Sequence, residues 1–247
     1  MNQQPAIILK NVTKHFRSAG KTLHVLENIN LEINHGEFFV IVGPSGSGKS
    51  TLLRLMSGLE KDFSGKVEMG QGMSQRDMAF VFQQFALFPW MTVSNNIALG
   101  LVARGRPKKE IDAIVDAKLR MLGLEKFRDE YPKALSGGMR QRVGIARALA
   151  TSPKVIFMDE PFSELDSFTA EALRQEMLEI WKKEGVTIIM VTHLIDEALE
   201  LADRIAVISS APGKIEKILP NSLARPRIKR SAEFFAAYDG IYKLIKP

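Results

Sequence analysis

Over residues 6–42 short β-rich runs alternate with polar turns. In Leu26-Glu27-Asn28-Ile29-Asn30-Leu31-Glu32-Ile33 the apolar side chains fall mainly on one face of a strand, which predicts a partly antiparallel sheet at the start of the chain. Residues 37–42 are nearly all apolar, as a strand buried on both faces requires, and a glycine-rich loop follows directly. Leu52, Leu53, Leu55, Met56 and Leu59 then recur at helical spacing. Between residues 110 and 124, Ile111, Ile114, Val115, Leu119 and Leu122 mark an amphipathic helix, and a second begins after Ser136 with Val143, Ile145, Ala146 and Leu149. After Pro153 strands (154–158, 186–191, 204–209) alternate with helices starting at Ser167 and Ile195, and a last helix spans 232–245. The expected chain is one domain, 1–247, of class α/β. Residues 1–84 and 151–220 form a mainly parallel core with an N-terminal antiparallel β subdomain, 85–150 an inserted helical subdomain, and 221–247 a helical tail.

Composition narrows the class only slightly. A content of 45% hydrophobic and 25% charged residues is that of a soluble globular chain, and the net charge of +6 suits a phosphate-rich ligand, an anionic membrane surface or nucleic acid alike. The absence of cysteine excludes disulfides, thiolate zinc sites and cysteine nucleophiles. Met1-Asn2-Gln3-Gln4-Pro5 lacks the basic start and apolar stretch of a secretory signal, so export is not expected. The longest apolar runs fall far short of the roughly 20 residues that span a bilayer, so any membrane crossing belongs to another chain.

Gly43-Pro44-Ser45-Gly46-Ser47-Gly48-Lys49-Ser50-Thr51 matches the phosphate-loop pattern, with a buried strand before it and a helix after it. Glycines let successive backbone N–H groups wrap an anion, and the helix N-terminus adds partial positive charge. Lys49 is placed to bridge terminal phosphates and the Ser50 hydroxyl to ligate magnesium, so the expected substrate is a nucleoside triphosphate. Val155-Ile156-Phe157-Met158-Asp159-Glu160 is an apolar strand ending in two acids. Asp159 is the natural magnesium partner and Glu160 the candidate base for the attacking water.

Leu135-Ser136-Gly137-Gly138-Met139 followed by Arg140-Gln141-Arg142-Val143, upstream of that acidic strand, resembles the signature motif of the ATP-binding cassette family. The resemblance covers nearly the whole chain and implies a P-loop NTPase core. It implies that Phe16 stacks on adenine, that Gln83 links magnesium to the helical lobe, and that His193 contacts the terminal phosphate. It also implies that Ser163 and Asp166 lie in the loop crossing a dimer interface. Ser136, Gly137 and Gly138 start a helix that forms a second anion site, too far from the phosphate loop to share its ATP within one subunit. The implied assembly is a homodimer closed around two ATP with Mg2+, whose hydrolysis releases it.

Three positions depart from the family pattern: Met139 where glutamine is usual, Glu164 where alanine is frequent, and Leu194 where aspartate is common. The segment Phe85-Ala86-Leu87-Phe88-Pro89-Trp90-Met91-Thr92-Val93-Ser94-Asn95-Asn96-Ile97, together with Met139 and the tail Ala211-Pro212-Gly213-Lys214-Ile215 followed by Arg225-Pro226-Arg227, is similar to importer ATPases for nitrate, sulfonates and taurine. Bicarbonate, cyanate and pyrimidine-precursor systems share much of that pattern. An importer ATPase implies two transmembrane permease subunits, an extracytoplasmic solute-binding protein acting indirectly, no nucleic acid, and a place at the cytoplasmic face of the inner membrane. Residues 85–90 would then wall a groove for a permease helix, unless Phe88 and Trp90 pack within the lobe. Arg225, Arg227, Lys229 and Arg230 form a basic cluster that faces either lipid headgroups or solvent. The rival reading is a soluble cassette of DNA repair or translation, but the long coiled coil or second cassette of those proteins is missing from this sequence.

Overall fold

The computed structural model describes residues 4–18 and 21–246. In chain order the first elements are β1 (Pro5–Ser18), β2 (Lys21–Asn34), β3 (Phe38–Val42), α1 (Lys49–Met56), β4 (Ser64–Met69) and β5 (Met78–Val81). Three helices follow, α2 (Val93–Ala103), α3 (Lys108–Met121) and α4 (Gly137–Ala150). The chain continues with β6 (Val155–Asp159), α5 (Ser167–Glu184), β7 (Thr187–Thr192), α6 (Ile195–Leu201), β8 (Arg204–Ile208), β9 (Ile215–Pro220) and α7 (Ala232–Ile245). Two compact units result, one of residues up to Gln75 together with those from Ile180, the other of residues 76–179.

In the first unit β1 lies between β2 and β4, antiparallel to both. Leu26, Ile29, Leu31 and Ile33 are buried while their neighbours point to solvent, the one-sided alternation of a half-covered antiparallel sheet. The polar turns expected inside this region are absorbed differently: both strands run for 14 residues, with register shifts between Leu9 and His15. Such bulges bend a strand and re-aim its side chains without ending it.

The second sheet of this unit runs β7-β3-β8-β9, parallel except for β9. Every residue of β3 and β7 is buried, so these strands read as continuous apolar runs. Phe38 packs edge-on against Trp181, whose indole N–H donates to the Gly36 carbonyl at 3.0 Å. α7 seats Phe234 and Ile241, each 2% exposed, on α6 and β8, so the tail helix packs on its own unit.

Within the basic cluster, Arg225, Arg227 and Lys229 are half-buried with protein partners, while Arg230 is exposed. The Arg225 guanidinium bonds Asp203 at 2.6 Å and the Leu201 carbonyl, and lies over the Trp181 ring. Arg227 donates to the Leu223 and Glu200 carbonyls at 3.1 Å, and Lys229 pairs with Glu200 at 3.0 Å. These cations clamp the tail because α6 ends with carbonyls that lack helical donors.

In the second unit β5 and β6 pair in parallel, Met78 opposite Val155 and Val81 opposite Met158. α4 packs against α2, α3 and β5, burying Val143, Ile145, Ala146 and Leu149. Asn96, fully buried on α2, knots the loop before it: its amide donates to the Phe88, Met91 and Thr92 carbonyls and its oxygen accepts the Phe88 N–H. Among the described residues no helix is long and apolar enough to cross a membrane.

Candidate functional site

The phosphate loop connects β3 to α1, so it leaves a rigid, fully buried strand and ends in a helix start. Gly46 and Gly48 adopt left-handed backbone (φ 78° and 88°), a region that glycine enters without steric cost. A Cβ on Gly43 would lie 2.5 Å from Ile208, and one on Gly48 2.9 Å from Leu26, so these two glycines also permit close packing. Lys49 is 4% exposed, and its ammonium donates to the Gly43 and Pro44 carbonyls at 2.9 and 2.8 Å. The charge is thereby folded back over the loop that it would share with a phosphate. Ser47 is fully buried and its hydroxyl has no hydrogen-bond partner among the described residues. A buried hydroxyl without a partner is costly unless a ligand or water completes it. Ser50 and Thr51 follow in the first turn of α1, half-buried.

The same unit carries two further candidates. Phe16 lies on β1 with 40% of its surface exposed. His193 is exposed directly after β7, beside the also exposed Leu194. Thr192, which sequence reasoning passed over, donates from its hydroxyl to Glu197 Oε2 at 2.6 Å.

The second unit holds the acids. Asp159 ends β6 with 4% exposure, and Glu160 takes a left-handed backbone (φ 43°) that a side-chain-bearing residue adopts only when its surroundings impose it. The Ser163 N–H and hydroxyl both donate to the Glu160 carbonyl, at 3.3 and 3.0 Å, which closes this turn. Gln83 is half-buried just past β5, the neighbour of β6.

Ser136 caps α4, its hydroxyl accepting the Met139 N–H at 3.3 Å, and Gly137 and Gly138 form the first turn. A Cβ on Gly138 would collide with Thr169 of α5, so the signature turn and the start of α5 approach as closely as glycine allows. Asp166 begins α5 by accepting the Thr169 N–H at 3.0 Å. Bonds from the Thr169 side chain and amide hold its carboxyl below the ordinary aspartate range. Ser163, Glu164 and Asp166 lie at or near the surface, so residues 136–138 and 163–166 present neighbouring polar surfaces. Each predicted site residue is thus described, the set divided between the two units.

Phosphate-loop strand, acid-ended strand and glycine-started helix together define a nucleotide-hydrolysing cassette. Residues 26–163 match the family described as ABC transporter, and the chain belongs to that family. It is 43% identical over 235 residues to the aliphatic sulfonates import ATP-binding protein SsuB of Bacillus subtilis (strain 168), covering 94% of this chain and 91% of that protein. It is 45% identical over 233 residues to the nitrate import ATP-binding protein NrtD of Synechocystis sp. (strain ATCC 27184 / PCC 6803 / Kazusa), covering 90% and 88%. The dimeric post-hydrolysis structure of the ATP-binding cassette MJ0796 bound to ADP and Pi superimposes with a TM-score of 0.77 at 37% identity, over 87% of this chain and 98% of that one.

Proposed function

We propose that this chain is the ATP-hydrolysing subunit of an ABC importer, working as a homodimer beneath two permease subunits at the cytoplasmic face of the inner membrane. The observation that carries the reading is Glu160, held in left-handed backbone directly after the buried acid of β6, in a chain that also folds a lysine-bearing phosphate loop. Strain of this kind persists where geometry serves a task. Residues 1–84 and 151–220 serve as the ATPase core, 85–150 as the helical arm, and 221–247 as the tail.

In this reading Lys49 and the loop backbone bind the phosphates of ATP, Phe16 stacks on adenine, and Glu160 polarises the attacking water. His193 contacts the terminal phosphate. Ser136, Gly137 and Gly138 bind the ATP of the opposite subunit at a helix start, with Ser163 and Asp166 at the same interface. Mg2+ suits the donors present: Ser50, Gln83 and Asp159 offer hard oxygen ligands. Among the described residues no group of three or more histidines and acids could hold a metal ion. When bound beside a nucleotide, Mg2+ would supply charge neutralisation on the phosphates.

The identities to sulfonate and nitrate import proteins support uptake of a small anion or organic solute of that type, with a solute-binding protein delivering it outside. Trp90, 68% exposed beside the half-buried Phe88, supports a permease contact near residues 85–90. The test is Glu160→Gln: it should bind ATP, lose turnover by at least about 100-fold and accumulate as a dimer by light scattering. Wild-type hydrolysis in that variant removes Glu160 from its role. Co-purification with integral membrane proteins, and loss of nitrate or alkanesulfonate uptake on deletion, test the transport half.

A further inference from the structure

We propose that Lys14 is a positioning residue for nucleotide-base binding: its buried ammonium holds the Phe16 ring and fastens it to the helix that leaves the phosphate loop. The proposal rests on Phe16 being the adenine-stacking residue. Lys14 and Phe16 stand two apart on β1 and so share a face. The register of β1 against β2 shifts on either side of Lys14. Lys14 is only 2% exposed, yet its ammonium lies 4.4 Å from the centroid of the Phe16 ring. One face of the ring therefore carries a cation while 40% of the residue stays open to solvent, as a stacking platform requires.

The ammonium is itself tightly tethered. It bonds Glu60 Oε1 at 3.3 Å, Asp62 Oδ2 at 3.1 Å and the Asp62 carbonyl. The Glu60 carboxyl is held below its ordinary range, chiefly by the Asp62 N–H and further by Lys14, so the carboxylate form that meets the ammonium is favoured. Glu60 in turn is fixed to α1, because the Leu59 and Glu60 N–H groups both donate to the Arg54 carbonyl. α1 begins at Lys49. A continuous chain of contacts thus runs from the base platform through Lys14, Glu60 and Arg54 to the phosphate loop, and fixes the spacing between the two ends of the nucleotide site. A buried lysine serving only stability would not need its charge against the one exposed aromatic ring of this strand.

The test uses the full chain and two probes, ATP and inorganic tripolyphosphate, which lacks a base. Lys14→Met should raise KM for ATP about five- to tenfold at unchanged kcat and leave tripolyphosphate affinity within about twofold of wild type. Lys14→Arg, which keeps a cation over the ring, should restore KM. Phe16→Ala should match Lys14→Met, and the double variant should add nothing. If Phe16→Ala raises KM but Lys14→Met does not, or if Lys14→Met weakens ATP and tripolyphosphate equally, the positioning role is overturned. If Phe16→Ala itself leaves KM unchanged, the stacking role of Phe16 falls and this proposal falls with it. Should Lys14→Met fold poorly, Glu60→Gln combined with Asp62→Asn must raise KM for ATP alone, and an unchanged KM there overturns the tether.

Discussion

The hydroxyl of Thr192 donates to Glu197 Oε2 at 2.6 Å and accepts the Leu194 N–H at 3.1 Å, closing the backbone on both sides of His193. Thr192 and Glu197 are 1% and 5% exposed, so this pair is shielded from competing water. A buried hydroxyl used once as donor and once as acceptor fixes the turn more firmly than a surface contact could. Leu194, 43% exposed, offers no polar side chain beside the histidine. The buried Thr192–Glu197 pair fixes the backbone from which His193 projects.

Replacing Thr192 by valine should therefore act on His193 without touching the nucleotide. With His193 contacting the terminal phosphate as proposed, turnover should fall roughly 10- to 100-fold, the scale expected when such a group is displaced by about an ångström, while ATP affinity stays within about twofold. Steady-state ATPase assays beside nucleotide titrations separate the two quantities. A kcat equal to wild type would leave the pair a purely structural one.

Gly46 and Gly48 both have left-handed backbone but differ in surroundings. A Cβ on Gly46 meets nothing within 4 Å, whereas one on Gly48 meets Leu26 at 2.9 Å and Val25 at 3.0 Å. Gly46→Ala should cost about 1 kcal/mol of backbone strain, and Gly48→Ala about 2–4 kcal/mol as strain and crowding combine. Thermal melts of the two variants must rank in that order, and equal melting temperatures would mean that the loop relaxes freely around residue 48.

Local chemistry made the loop, strands and helices that carry the proposed site readable from the sequence. The run Gly43 to Thr51 needs its glycines wherever it occurs, and the fully buried strands at residues 38–42 and 155–159 announce themselves by unbroken apolar stretches. Helices that begin at a polar cap, such as those starting at Gly137 and Ala232, start at the residues the sequence indicates. Strand β4 was not legible, because Ser64-Gly65-Lys66-Val67-Glu68-Met69 offers little alternation and leaves most of its residues exposed. Pairings across long separations were also silent: Lys14 meets Glu60 across 46 positions, and no local pattern couples them. Arg225 and Arg227 illustrate the converse error, since a cluster of cations looks solvent- or lipid-facing until its backbone carbonyl partners are seen.

Arg147 provides a prediction for the segment that follows Gln83. Its guanidinium donates to the Ala86 carbonyl at 2.6 Å and the Phe85 carbonyl at 3.1 Å, and burial pushes its pKa down. Phe85 and Ala86 both have positive φ (61° and 46°), so the guanidinium stabilises a turn that the backbone alone disfavours. Arg147→Met should cost about 1–3 kcal/mol by orphaning two carbonyls, and should lower turnover more than ATP affinity because Gln83 loses its fixed neighbour. Arg147→Lys, able to make one of the two bonds, should fall between. Denaturant melts and ATPase rates on the same preparations check both parts, and a methionine variant with full turnover would dissociate Arg147 from the role proposed for Gln83.

The tail yields a prediction that separates its structural clamp from a lipid-binding role. Arg225 reaches Asp203, the Leu201 carbonyl and the Trp181 ring at once, and removing it breaks three contacts while leaving Asp203 with a lost partner. Because both partners of the ion pair are partly exposed, at 21% and 35%, solvent screens much of the Coulomb gain. The expected cost of Arg225→Met is therefore only about 1–2 kcal/mol, most of it from the unmet carbonyl and the lost ring contact. Loss of the clamp should act locally, so limited proteolysis should cut residues 221–231 faster than in wild type while KM for ATP stays within about twofold. Binding to anionic vesicles should not change, since in the folded chain this cation faces protein. A fall in vesicle binding with unchanged protease resistance would return Arg225 to the membrane surface.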